Sequence, residues 1–177
     1  MKTLADQMSF YAAYHQDWRN KLTHFVGVPA IVVGVMIALA WLRVDVGGTV
    51  VSAALPITVL VLAYYLLLDL PLGIAMCAVF GAMLYYAESV ASLPMKEGLA
   101  WFLLYFAGGW VVQLIGHVFE GRKPALVDNL FQVFVAPIFL CAEAFFALGY
   151  KPGLHAQVQE RAMQMRTQAG VGHPTPA

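Results

Sequence analysis

Residues 108–132 read GGWVVQLIGHVFEGRKPALVDNLFQ, and the organisation of the whole chain follows from this stretch. An apolar run at 101–115 leads to His117, and Glu120 follows three residues later. On a helix these two side chains share a face. A histidine and a carboxylate are therefore predicted at the end of an apolar helix. They are either functional groups or interfacial residues that face water, since helix ends tolerate polar side chains.

The end of this helix is predicted from the residues that follow Glu120. Pro124 disfavours helical backbone at Lys123, so we predict that the helix ends near Gly121. The basic pair Arg122 and Lys123 then lies just beyond the helix. These cations either bind a carboxylate such as that of a fatty acid, with which arginine pairs in a bidentate manner, or contact lipid head groups.

Composition places the chain among membrane proteins. Of its 177 residues, 61% are hydrophobic and 11% are charged, whereas soluble domains carry about 25% charged residues. The formal net charge is zero, so nothing indicates nucleic-acid binding. Cys77 and Cys141 both lie in apolar runs and are expected to be packing residues, neither disulfide-bonded nor metal-bound.

The chain opens with a segment of helical periodicity at 3–15. One face of this segment carries Leu4, Met8, Tyr11, Ala12 and His15. We predict a short amphipathic helix lying at the membrane interface.

A break after this helix decides where two histidines lie. Asp17 is a suitable N-cap for a second helix that begins at Trp18. On one unbroken helix His15 and His24 would lie on opposite faces, because nine residues separate them. A turn before Trp18 allows the two side chains to converge. Asn20 shares a helical face with His24 in either case.

The remainder of the chain predicts an all-α integral membrane bundle of four to five spans, preceded by the amphipathic helix. The apolar segments lie at 25–42, 49–68, 72–90, 99–118 and 130–148. The last of these, which contains Pro137, is either a fifth span or a re-entrant segment in the membrane plane. We assign residues 1–150 to a membrane helical catalytic domain. Residues 151–177 are a polar C-terminal tail with a short helix near 154–166.

The predicted number of membrane crossings places His24 and His117 at the same membrane face. Four spans separate His24, which opens the first, from His117, which closes the fourth. An even number of crossings returns the chain to the face that it left. Basic residues are more numerous on this histidine face than on the other, so the positive-inside rule places it in the cytoplasm.

Three imidazoles with a nearby carboxylate form a candidate metal site. His15, His24 and His117 supply nitrogen ligands, and Glu120 or Asp128 supplies oxygen. This donor set suits iron or zinc. Iron(II) would serve O2 chemistry on a lipid, and zinc would serve hydrolysis through a bound water. The alternative is that the histidines are hydrogen-bonded structural residues of the bundle.

Further polar side chains lie within the apolar segments. Asn20 and Gln113 are predicted at the substrate-binding site, where they orient the ligands, although amides also bond neighbouring membrane helices. Glu143 is either a structural interhelical donor or a ligand.

Two blocks of the sequence resemble a known family. The first is SFYAAYHQDWRNKLTHFVGVPAI at 9–31, with an aromatic–His pair, then Asn, His and Val-Pro. The second is GWVVQLIGHVFEGRKPALVDNLFQVFVAPIF at 109–139, with Gly-His, Phe-Glu, a basic pair and Asp-Asn-Leu. Together they are similar to the small membrane 2-hydroxy fatty acid dioxygenases of fungal type.

The resemblance implies an Fe(2+)-dependent enzyme that uses O2 to shorten a 2-hydroxy fatty acid by one carbon, an α-oxidation. His15, His24 and His117 match the family's motif histidines and would hold the iron, with Glu120 beside them in the catalytic site. Either residue of the basic pair 122–123 would bind the substrate carboxylate. The composition favours a bacterial inner-membrane member whose partners are the lipid bilayer and the fatty acid, and a homo-oligomer stays open.

Two rival functions remain at this point. A non-enzymatic lipid-binding or transport protein would hold no stoichiometric metal. A zinc membrane hydrolase would hold a metal but would act without O2.

Overall fold

The structure is a computed structural model, and it describes residues 3–121, 124 and 129–168. Most of these residues are helical, with one small sheet between the second and third helices. The helices are α1 (Leu4–Ala12), α2 (Trp18–Trp41), α3 (Ala54–Leu68), α4 (Leu70–Ala91), α5 (Met95–Glu120), α6 (Gln132–Ala147) and α7 (Pro152–Gln168). The strands are β1 (Arg43–Val46) and β2 (Thr49–Ser52).

Three of the described helices, α2, α4 and α5, are long and apolar enough to cross a membrane. Helices α3 and α6 are apolar but shorter, with 15 and 16 residues. The membrane character predicted from the sequence therefore agrees with the structure. The number of crossings that length and composition support directly is three, against the four to five predicted.

The β-hairpin corrects two predictions, the all-α class and the helical span at 49–68. Residues 49–52 form strand β2, which pairs antiparallel with β1 so that Val46 lies opposite Thr49. Gly47 and Gly48 make the two-residue turn with φ of 64° and 87°. Positive φ at both central residues gives the turn twist that suits a hairpin. The β-branched residues on either side favour strand, so helix α3 begins only at Ala54.

Helices α2 and α5 pack antiparallel at very close range, and glycines make this approach possible. A Cβ atom built on Gly27 would lie 2.9 Å from the carbonyl oxygen of Gly109, and one built on Gly109 would lie 2.9 Å from that of Gly27. Gly34 meets the backbone of Phe106 in the same way. Small residues that let two backbones touch are typical of helix pairs in membranes. This contact brings the first turns of α2 beside the last turns of α5.

Helix α6 does not run the length of the bundle. It begins at Gln132 beside the histidines, and soon after it ends Lys151 forms an ion pair with Asp69. Asp69 lies in the turn between α3 and α4 and lines a pocket together with residues 3–6 at the start of α1. Lys21, near the start of α2, pairs with Glu143 at 2.8 Å. Both ends of α6 therefore lie at the histidine end, as in the in-plane alternative.

Helix α7 packs against α1 and covers its outer side. Val158 and Ala162 of α7 are fully buried, and Arg161 pairs with Asp6 of α1 at 2.7 Å. The predicted apolar face of α1 is buried as well. The predicted short helix of the C-terminal tail is thus a packed helix of 17 residues in the structure.

Candidate metal centre

His15 lies in the turn that follows α1, and two contacts fix its ring. Its Nδ1 lies 2.8 Å from the carbonyl oxygen of Tyr11, and the ring stacks on that of Tyr11 at a centroid distance of 4.0 Å. A carbonyl oxygen only accepts, so Nδ1 carries the proton and donates it. The other nitrogen, Nε2, therefore presents a lone pair to the protein interior.

His24 is held by the same kind of contact on the second turn of α2. Its Nδ1 donates to the carbonyl oxygen of Asn20 at 2.8 Å, so its Nε2 also presents a lone pair. The predicted helix break makes this position accessible, because Asp17 is the N-cap of α2 and accepts from the backbone N–H of Arg19. Both histidines are almost fully buried.

The two Nε2 atoms face each other at 3.2 Å. With both Nδ1 atoms protonated, two lone pairs meet at hydrogen-bond distance and repel. If one ring instead carried its proton on Nε2, the two Nε2 atoms could form a hydrogen bond. The lone pair left on its Nδ1 would then face the carbonyl oxygen of Tyr11 or Asn20 and repel it. A cation between the two nitrogens removes the repulsion. Backbone carbonyls that fix the tautomer of metal-binding histidines in this way are a common feature of metal sites.

His117 completes the cluster from the last turn of α5. Its ring centroid lies 4.9 Å from that of His24 and 5.2 Å from that of His15. One nitrogen from each of the three side chains lies within 4.8 Å of the others, and this is the cluster of potential metal ligands found among the described residues. Nitrogens bound to one ion at about 2.1 Å are separated by roughly 3.0–3.4 Å. The His15–His24 pair at 3.2 Å already has this spacing, and the wider separations in the cluster would shorten on metal binding.

Burial keeps His15 in the form that binds a metal. The apolar surroundings lower the pKa of His15 well below its ordinary value, and His24 acts in the same direction. A metal ligand must be the neutral imidazole. The site therefore presents the required form without having to release a proton at neutral pH.

Glu120 acts as a hydrogen-bond acceptor that holds the site together. Its Oε2 accepts from the backbone N–H groups of Gln16 and Asp17 at 3.0 and 2.7 Å and from Nδ2 of Asn20 at 3.2 Å. The carboxylate thus binds the end of α5 to the turn that carries His15. Glu120 is not among the side chains whose ligand atoms converge.

Arg166 contributes a contact to this site that sequence analysis missed. Its Nη1 donates to Oε1 of Glu120 at 2.8 Å and to the carbonyl oxygen of Ala13 at 3.3 Å. The guanidinium is 12% exposed and the carboxylate 2%. Helix α7 therefore supplies a buried counter-charge to Glu120. A basic residue in a polar helix 46 residues away gives no signal of this pairing in the sequence.

The remaining predicted residues divide into four groups. Gln113 is buried and lines the cavity beside the histidines. Asn20 is buried but bonds Glu120 and His24 and is not part of the cavity wall. Glu143 pairs with Lys21. The predictions for Arg122, Lys123 and Asp128 fall outside the described residues.

The cavity beside the three histidines has a volume of about 60 Å³. Its other walls are mainly apolar, with Val28, Ile31 and Trp110 among them, and the amide of Gln132 reaches it from α6. Sequence analysis assigned no role to Gln132.

A second, apolar cavity of about 110 Å³ lies next to the first, and the two share Ile31, Val32 and Val133 as wall residues. We call it the α2 groove. It follows α2 as far as Leu39 and is closed on the other side by residues of α3, among them Val61 and Tyr65. From His24 to Leu39 the helix rises about 22 Å, which exceeds the roughly 15 Å of one leaflet of a bilayer's hydrocarbon core.

Comparison with known proteins assigns this chain to a family. A family model described as "2-hydroxy-palmitic acid dioxygenase Mpo1-like" matches residues 1–148. The chain belongs to the Mpo1-like family. The 2-hydroxy-palmitic acid dioxygenase MPO1 of Saccharomyces cerevisiae is 35% identical over 175 residues, which cover 93% of this chain and 96% of the yeast protein. The Mpo1-like family match includes all three clustered histidines, and the resemblance seen in the sequence is confirmed. No solved structure matches the chain.

Proposed function

We propose that this protein is an iron(II)-dependent dioxygenase that shortens 2-hydroxy fatty acids by one carbon at the membrane face. The observation that carries the proposal is the pair of Nε2 lone pairs facing each other at 3.2 Å, with His117 beside them. A buried centre of this kind needs a cation. The yeast relative is named as a dioxygenase of 2-hydroxy-palmitic acid, and nitrogen ligands suit iron(II).

The overall reaction balances with O2 as the oxidant. The bond between C1 and C2 of the 2-hydroxy acid breaks, and C2 becomes the carboxyl carbon of the shorter acid. The original carboxyl carbon leaves as CO2, and the remaining oxygen leaves as water. Bound iron(II) would supply a redox-active centre with open coordination positions for O2 and substrate oxygens.

The protein's own residues bind, orient and shield the substrate. His15, His24 and His117 hold the metal in the cavity, and burial excludes bulk water from it. Glu120 is a positioning residue, because it fixes the turn that carries His15 rather than reaching the cavity. The acyl chain lies in the α2 groove, whose walls are almost entirely apolar. The basic pair 122–123, just past the end of α5, is retained as the predicted partner of the carboxylate.

The cellular placement proposed here is the one expected from the sequence. The histidine face is cytoplasmic, because basic residues are more numerous at that face and such residues favour the cytoplasmic side. The membrane is the bacterial inner membrane. Accessibility of single cysteines introduced at this face to a membrane-impermeant reagent tests the orientation.

The decisive experiment incubates purified protein with iron(II), O2 and 2-hydroxypalmitate and identifies the product by mass spectrometry. We expect the acid one carbon shorter, and no product after chelation or in the absence of O2. His24→Ala and His117→Ala should lose both bound metal and nearly all activity. His155→Ala is the matched control, because His155 stacks on Phe146 outside the cluster.

Two outcomes would decide for the rival functions. Turnover that continues without O2 and requires zinc would show a hydrolase. Protein that binds fatty acid but holds no stoichiometric metal would be a lipid-binding protein. Wild-type turnover in either cluster variant would also overturn the proposed centre.

A further inference from the structure

Gln132 is a buried amide without a hydrogen-bond partner among the residues that the structure describes. It is the first residue of α6, its side chain is 1% exposed, and neither Oε1 nor Nε2 has a partner. The side chain lines the same cavity as the three histidines. Because both side-chain atoms lack partners, an interchange of the amide oxygen and nitrogen would not change this finding.

Several other buried polar side chains of the described residues make at least one hydrogen bond, including Asn20, whose Oδ1 is unpaired but whose Nδ2 donates to Glu120. Gln7 is 6% exposed and donates to the hydroxyl of Tyr64 at 3.2 Å. Ser9 is fully buried and donates to the carbonyl oxygen of Ala5 at 2.6 Å. Buried polar groups are nearly always hydrogen-bonded, so an unpaired one beside a cavity indicates a partner that enters the cavity.

The chemistry of the amide defines the partner. Its Nε2 offers two donors and its Oε1 accepts, so full pairing needs a ligand with both an acceptor and a donor. An ionised 2-hydroxy acid has both, since the carboxylate accepts and the 2-hydroxyl donates. An unsubstituted fatty acid anion offers acceptors alone and would leave Oε1 unpaired.

We infer that Gln132 is the residue that recognises the 2-hydroxy acid head group, with Oε1 accepting from the 2-hydroxyl and Nε2 donating to a carboxylate oxygen. The inference rests on the proposed function and adds a specificity-determining residue to it. A site built to bond a substrate hydroxyl rejects the analogue that lacks it, because its own buried polar atoms are then left unpaired.

The position of Gln132 suits this role. Val133, the next residue, is shared by the cavity and the α2 groove. A head group bonded to Gln132 would therefore lie between the histidines and the start of the groove. The backbone N–H of Gln132 already donates to the carbonyl oxygen of Asn129 at 2.9 Å, so recognition falls to the side chain.

The test compares two ligands in two variants. KM is measured for 2-hydroxypalmitate, and the inhibition constant is measured for palmitate as a competitor. Replacing the amide by an apolar side chain of similar size, Gln132→Leu or Gln132→Met, should raise KM roughly 10- to 100-fold, the loss expected for hydrogen bonds to a charged group. The inhibition constant for palmitate should rise by a smaller factor, because palmitate loses only the contact between Nε2 and its carboxylate, whereas 2-hydroxypalmitate also loses the contact between its hydroxyl and Oε1.

Stability gives an independent readout. The melting temperature of the metal-free variants should equal or exceed that of the wild type, since the substitution removes two unpaired polar atoms. A purely structural glutamine would lower it. Gln164→Leu, at an exposed position of α7, is the control for a glutamine-to-leucine change and should alter neither constant.

The outcomes separate this inference from the proposed function. If the wild type does not convert 2-hydroxypalmitate, the proposed function fails. If the wild type converts it and both Gln132 variants keep its KM and its preference over palmitate, recognition by Gln132 is wrong. A fall in melting temperature with unchanged preference would likewise overturn it, because Gln132 would then bond a structural water.

Discussion

At the scale of single residues, the candidate metal centre is positioned by main-chain carbonyls as well as by imidazoles. His15 and His24 each donate through Nδ1 to the carbonyl four residues earlier, that of Tyr11 and that of Asn20. Each contact fixes both the tautomer and the ring orientation. Because the contact is local, the spacing within each segment is sufficient to prepare both ligands before the segments meet.

Glu120 and Arg166 form a buried ion pair that joins the end of α5 to α7, and Glu120 also bonds the turn that carries His15. We predict that Arg166→Met and Glu120→Gln each destabilise the folded protein by about 3–5 kcal/mol, because the remaining partner is buried without its counter-charge. The double variant should be less destabilised than the sum. A double-mutant cycle in denaturant unfolding in detergent measures this coupling.

The exposed pair Arg161 and Asp6 is the matched control on the same helix. Its side chains are 40% and 43% exposed, so little or no coupling is expected. Equal coupling in the two pairs would contradict the role assigned to Arg166. The Glu120→Gln variant should also bind iron(II) more weakly, by roughly 10- to 100-fold, the usual effect of losing an outer hydrogen bond of a metal site.

At the scale of helices, the close packing of α2 on α5 decides whether the histidines meet. His24 lies three residues before Gly27, and His117 lies eight residues after Gly109. The two glycines touch backbone to backbone, so the distance between the helices fixes the distance between the rings. The sequence shows glycines in apolar segments, but only the structure shows which of them face the partner helix.

Two adjacent glycines of α5 give a sharp test. Gly109→Ala should destabilise the protein by about 1–3 kcal/mol, because its Cβ would overlap the backbone of α2. Because the displacement of α5 moves His117, this variant should also bind less than one equivalent of iron(II). Gly108→Ala should have neither effect, since nothing lies within 4 Å of a Cβ at that position. Metal content and thermal unfolding of the two variants measure the difference, and equal metal content in both would refute this account.

At the scale of the whole molecule, the structure joins a polar centre to an apolar groove. The three histidines lie at one end of the bundle, and the α2 groove lies next to their cavity, between α2 and α3. Under the proposed function, a long acyl chain would lie along the helices while its head group stays beside the histidines. Helix α6 closes the centre from the side and supplies Gln132.

The groove predicts a chain-length effect. Val61→Phe adds bulk inside it and should lower kcat/KM for 2-hydroxypalmitate more than for a shorter 2-hydroxy acid. Val59→Phe, on the same helix but outside the groove and 55% exposed, should leave the ratio of the two substrates unchanged. Competition assays with both acids in one reaction measure this ratio. A ratio unaffected by Val61→Phe would place the acyl chain elsewhere.

The sequence by itself determined the membrane class, the break before α2 and the common face of the histidines. The first two follow from local properties, the length of an apolar run and an N-cap residue. The third was predicted by counting apolar segments between His24 and His117, and the structure shows the two side chains together. The end of α5 at Gly121 was also predicted from local residues and is confirmed by its left-handed φ of 66°.

Only the tertiary structure decided which other side chains belong to the centre. Arg166 and Gln132 reach it from α7 and α6, which pack on the bundle from outside, and packing of this kind leaves no periodic signal in the chain. The helix predicted from Thr49 was wrong because a two-glycine turn lets β-branched residues pair as strands. Local spacing prepares two of the metal ligands, whereas contacts between distant segments, driven by burial, assemble the site.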